Sequence, residues 1–105
     1  MTEQEIMKTD FGEWGDKKKH YLKTYHPEEW NEMLKEGRLE KFLQDHDDTQ
    51  YQRSQRLLTQ ICEADGIGYP YDGRLPQMEW VGRFNMAMAE MREIMGEEYR
   101  PPHYE

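Results

Sequence analysis

The chain has 105 residues, with 14 Lys and Arg against 22 Asp and Glu, a formal charge of −8, and a single cysteine. Its length bounds it to one domain with a modest core, and one cysteine excludes an internal disulfide or a multi-cysteine zinc site, which makes an intracellular, cytoplasmic protein the expectation. No run approaches the ~20 apolar residues of a membrane span, the first ten residues lack the apolar core of a secretory signal, and the negative charge opposes unaided nucleic-acid binding, where phosphate contacts require cation density.

Ile, Leu, Val and Phe are scarce, but eight Met, three Trp and seven Tyr more than double the bulky apolar inventory. The expected core is therefore aromatic and Met-rich. In chain order, residues 1–11 are mostly polar and aperiodic and read as a flexible arm. Gly12-Glu13-Trp14-Gly15 reads as a turn, with Asp16 the N-cap of a short helix over 17–25. His26-Pro27 restarts the chain, because Pro suits a first helical turn and disfavours a helical residue before it.

Residues 27–36 carry the clearest helical pattern. At about 100° per residue Glu28, Glu32 and Glu36 share one face with Glu29 beside it, opposite Trp30, Met33 and Leu34. Gly37 is a natural stop. Residues 38–65 read as one long helix, in preference to two that break and recap at Asp45-His46-Asp47-Asp48-Thr49, with Leu39, Phe42, Leu43, Leu57, Ile61 and Ala64 on a stripe whose waist, His46, Gln50 and Arg53, is polar. The Gly, Pro and Tyr of 66–76 mark a loop. Residues 77–98 form the last helix, with Trp80, Phe84, Ala87, Met88, Met91, Ile94 and Met95 on one arc and Glu79, Glu90, Glu93 and Glu97 opposite. Trp30 and Trp80 are both expected to be buried. The fold class is thus all-α: a small single-domain bundle of three to four helices over 12–98, with a tail at 99–105.

No residues assemble a catalytic pattern. Cys62 lies near an apolar stripe, where it reads as a structural thiol. Ser54, the only serine, falls on the polar side of its helix, and Gly66-Ile67-Gly68 lacks the Lys-Ser/Thr of a phosphate loop. Adjacent residues in Asp45-His46-Asp47-Asp48 point in different directions and cannot converge on a metal, while His20, His26 and His103 have no i, i+4 partner. The expectation is no enzyme, no cofactor and no metal. The lysines of Lys17-Lys18-Lys19-His20 and Lys23 either contact an acidic partner or phosphate, or form the exposed face of a short helix. Met86 projects onto the acidic side as a plausible contact, whereas the other methionines of the last helix read as core.

The acidic rows have two readings. Glu28, Glu29, Glu32, Glu36 and Glu40, followed by Asp45, Asp47 and Asp48, are either solvated helix faces or rows of carboxylates that imitate a phosphate backbone and attract a cationic groove.

Four stretches carry a resemblance to a known family: His20-Tyr21-Leu22-Lys23; Leu34-Lys35-Glu36-Gly37-Arg38-Leu39 with Leu43; Gln60 to Gly66; and Met78-Glu79-Trp80-Val81 with Arg83, Asn85 and Ala89-Glu90. Across 12–98 the chain resembles TnpV, a family of small proteins of transposons and conjugative elements of Gram-positive bacteria, with the Met-x-Trp-Val-x-x-x-Asn element the more specific match. The resemblance implies a mobile-element origin and a helical fold, and it brings no catalytic residues. Small acidic proteins of mobile elements are also similar in type to anti-CRISPR proteins, and a type II CRISPR effector holds nucleic acid in a positively charged channel. The expected function is a non-enzymatic inhibitor that binds a Cas9-like effector nuclease through the eight carboxylates named above. The alternatives are an accessory protein of transposition or conjugation that binds an element-encoded recombinase, and a DNA-binding regulator that uses Lys17, Lys18 and Lys19.

Overall fold

A computed structural model describes residues 1–102, and His103, weighed above as a lone histidine, lies outside the described residues. The described chain is all-α: α1 (Glu3–Lys8), α2 (Gly12–Tyr25), α3 (Pro27–Lys35), α4 (Leu39–Ala64) and α5 (Gln77–Gly96), followed by a 3₁₀ turn at Glu97–Tyr99. It divides into two compact units, 1–51 with 99–102 and 52–98, so that the first half of α4 belongs to one and the second half to the other. The long helix expected over 38–65 is present and unbroken through its polar waist.

In the first unit, the expected flexible arm is instead a helix. Thr2 and Glu5 close a reciprocal capping box at the start of α1, which satisfies end donors that helix geometry leaves open. Ile6 then enters the core with Phe11, Leu22, Trp30, Met33, Leu39 and Leu43. Glu3 ties α1 to its neighbours, accepting a bond from the Trp30 indole (3.1 Å) and pairing with Lys23 (3.1 Å). Those bonds hold its carboxyl below the ordinary range, with Lys23 the larger cause.

The segment read as a turn at Gly12-Glu13-Trp14-Gly15 is the first turn of α2, and Trp14 is buried. Its start has no side-chain cap of its own from Phe11, and the structure finds one elsewhere in the chain, described below. Between α2 and α3, His26 serves both helices, with Pro27 at the first helical position of α3 as its fixed φ favours. α3 ends in a Schellman arrangement at Gly37 (φ +73°), where Arg38 N–H donates to Met33 O and Gly37 N–H to Leu34 O.

In the second unit, the core residues are Leu58, Ile61, Cys62, Ile67, Ala87, Met91 and Met95. Ser54, expected on a polar face, is buried, and Leu58 rather than Leu57 is the fully buried leucine. Over 26 residues a stripe drifts around the helix, so a fixed projection misplaces its far end. α4 closes at Gly66 with the same Schellman bonds, and the following residue, Ile67, is buried as that motif prefers. Trp80 is half-buried rather than buried. Its indole donates to Gly68 O (2.6 Å), and it stacks on Phe84 (4.8 Å between centroids) and leans on Tyr71 (5.2 Å). Tyr69 extends this row on Phe84 at 5.3 Å. Ile94, expected inside, is exposed.

Candidate protein-interaction surface

The acidic face of α3 forms as its period requires. Trp30 and Met33 are anchored in the core, so the opposite side of this nine-residue helix points to solvent, and Glu28, Glu29, Glu32 and Glu36 are all exposed. Glu36 pairs with Arg38. Among the described residues Glu28, Glu29 and Glu32 form no ion pair within 4 Å. Carboxylates that recur at i and i+4 lie ~6 Å apart along the helix axis, and the buried anchors hold that spacing rigid. Glu40, at the start of α4, is half-buried and less available.

The Asp45-His46-Asp47-Asp48 run disperses around α4. Asp45 pairs with Lys41 (2.9 Å) and Asp48 is exposed. His46 bonds the Tyr99 hydroxyl (2.7 Å) and stacks on Phe42. Asp47 departs from the expected outward projection. Its Oδ1 accepts from the backbone N–H groups of Trp14 and Gly15, both at 3.0 Å, so it caps the start of α2 from 32 residues away. The bare glycine edge at Gly12 and Gly15 makes the approach possible, because a side chain at Gly12 would collide with the Asp47 carboxylate. Asp47 therefore serves the fold, and the surface carboxylates of this run are Asp45 and Asp48.

The lysine cluster also dissolves. Lys19 is buried, and its ammonium donates to the carbonyls of Thr9 (2.7 Å) and Ile6 (3.2 Å) at the end of α1 while pairing with Asp16 (3.2 Å). Lys17 and Lys18 lie over the rings of Trp14 and Tyr21, and Lys23 over Trp30. Of this cluster Lys19 alone is buried, while Lys17 and Lys23 remain exposed.

The second unit presents a surface of which the sequence reading singled out Met86 alone. Met78, Val81 and Met86 of α5 are exposed, the two methionines at 84% and 74%. Gly82 and Asn85 lie between them on the same outward side, with Ala89 about one turn beyond Met86. The signal was available as a spacing of four, three and four through Met78, Gly82, Asn85 and Ala89. Counting Met78 with the core methionines concealed it. On another side of the unit, a cleft of about 430 Å³ is lined by Thr59, Cys62, Tyr69, Tyr71, Asp72 and Arg74. Burial pushes the Cys62 thiol up, with Asp65 adding to the shift, which disfavours the thiolate a nucleophile needs. Asp72 is held below the ordinary carboxylate range, first by the Arg74 backbone N–H and then by its guanidinium. Among the described residues no three His, Cys, Asp or Glu side chains gather to hold a metal ion, and no helix is long and apolar enough to cross a membrane.

Helices throughout, an acidic face on one unit and an apolar helix face on the other define a small all-α protein with surfaces suited to binding. A family model described as transposon-encoded protein TnpV matches residues 1–99, and the chain belongs to that family. No curated protein and no solved structure matches it.

Proposed function

We propose that the chain acts without chemistry of its own, as a mobile-element protein that binds a cationic, nucleic-acid-processing protein and competes for its nucleic-acid groove. The observation that carries this reading is the rigid, exposed row of Glu28, Glu29 and Glu32, extended by Glu36, on α3. Such a row suits long-range steering toward a basic channel. The burial of Lys19 and the net charge of −8 weigh against direct DNA binding, because counterion release needs available cations. Membership of a transposon-encoded family favours a recombinase of the element as the partner. A Cas9-like type II CRISPR effector fits the same charge logic and is the second partner to test, as the target of an anti-CRISPR-type inhibitor.

The experiment measures association kinetics against each purified enzyme at two salt concentrations, with and without its nucleic acid. Changing Glu28, Glu29, Glu32 and Glu36 together to Lys should keep the helical spectrum, slow association at least tenfold, and leave little salt dependence. Each exposed pair alone is worth ~0.2–1 kcal/mol, so single changes should act weakly. A fourfold variant that folds and still binds and inhibits as before refutes the acidic-face mechanism.

A further inference from the structure

We propose that the outward face of α5 is a second docking surface, and that its occupant is an amphipathic helix of a partner protein with lysine or arginine along one flank. The proposal stands apart from the α3 carboxylates, because it rests on residues of the other unit. Met78 and Met86 expose most of their side chains, and Val81 is 39% exposed. The three stand within nine residues of one helix. Between them nothing lies within 4 Å of where a Cβ on Gly82 would sit, so the helix has an open notch there, with the short Ala89 side chain one heptad further on. A notch between flexible thioethers is the shape into which a partner helix inserts side chains.

The charge around the face selects the occupant. At helical period Glu79 and Glu90 fall along one edge of the strip, where Arg83 pairs with Glu79 (3.1 Å), and Glu93 stands just inside that edge beside Met86. A second copy of this chain fits poorly. In an antiparallel two-fold pair each flank meets the same flank of the copy, which brings the net-acidic edge of one chain against that of the other. In a parallel pair the seam residue Arg92 meets itself. A partner helix whose flank is basic meets Glu79, Glu90 and Glu93 with opposite charge and covers the methionines. From Met78 to Glu93 the strip runs ~23 Å at 1.5 Å per residue, which four turns of helix would cover.

The test uses the full chain carrying ¹³C-methyl methionine and a 16-residue synthetic helix with a Leu/Ala seam and a lysine flank, beside the same peptide with a glutamate flank. The lysine peptide should shift the methyl signals of Met78 and Met86 and leave those of Met33 and Met91 in place, and the glutamate peptide should bind at least tenfold more weakly. Gly82→Gln fills the notch without touching the core, so it should lower the lysine peptide's affinity at least tenfold while melting no earlier than the parent. Met86→Glu provides a second variant with the same expected loss. The proposal is overturned if the lysine peptide leaves Met78 and Met86 unshifted, if the two peptides bind alike, or if Gly82→Gln binds as the parent does. A dimer in sedimentation that Met86→Glu dissolves would also overturn it, by assigning the face to a second copy.

Discussion

Replacing Asp47 with Ala should unfold the first unit's packing far more readily than its place in a surface acidic run suggests. The carboxylate accepts two backbone bonds at 3.0 Å, from Trp14 and Gly15, at a helix end whose N-cap residue Phe11 offers no side-chain cap and where Asp10 serves only the Gly12 N–H. A hydrogen bond to a charged group contributes ~1.5–3 kcal/mol, and losing an N-cap acid costs ~0.5–2 kcal/mol. Both bonds share one oxygen and do not add fully, so the change should cost about 2–3 kcal/mol. The donors left behind sit beside buried Trp14 and Gly15, where water replaces the carboxylate poorly. With ~4–8 °C per kcal/mol in a small domain, the melting midpoint should fall by about 10–20 °C. Asp47→Asn keeps an acceptor and loses only the charge and its dipole interaction, so it should cost about 1 kcal/mol. Asp45→Ala and Asp48→Ala, on exposed positions of the same run, should stay within about 0.5 kcal/mol of the parent. Urea and thermal unfolding followed at 222 nm give the energies, and amide exchange reads the Trp14 and Gly15 N–H groups directly. If Asp47→Ala matches the two controls and those two amides remain protected, the capping role is refuted.

Lys19→Ala should cost about 1–3 kcal/mol, because it removes the ammonium donor to the Ile6 and Thr9 carbonyls and the ion pair with Asp16; urea unfolding checks this, and a neutral result would show that water and the Thr9 cap serve that end of α1 as well. Glu3 binds its proton less readily folded than unfolded. Its contribution to stability is therefore present above the ordinary carboxylate range and lost as the pH falls through the lowered folded value. Glu3→Gln should flatten that part of the acid limb in a pH series of urea midpoints, and an unchanged limb would remove Glu3 from the account. Cys62 should resist alkylation at pH 8 in the native protein and react once urea exposes it, since it is 1% exposed with its thiol pushed up by burial; rapid native labelling, followed by mass spectrometry, would show that the second unit opens locally.

The sequence by itself determined whatever depends on neighbours a few residues away. The α3 face is such a case: about 100° per residue in one short helix puts Glu28, Glu32 and Glu36 opposite Trp30 wherever the helix lies. The stops at Gly37 and Gly66 and the start of α5 at Gln77 are equally local, because positive φ and proline geometry act within a turn. The exposure of Met86 followed from the same projection. Tertiary structure alone decided the rest. Ile6 makes an ordered helix of a polar arm because a core forms beside it from residues up to Leu43. Asp47 and Lys19 look like surface charges in the sequence. They become caps because helix ends leave backbone groups that any distant side chain can satisfy. That need has no period and no fixed spacing, so only the packed chain shows which charge meets it.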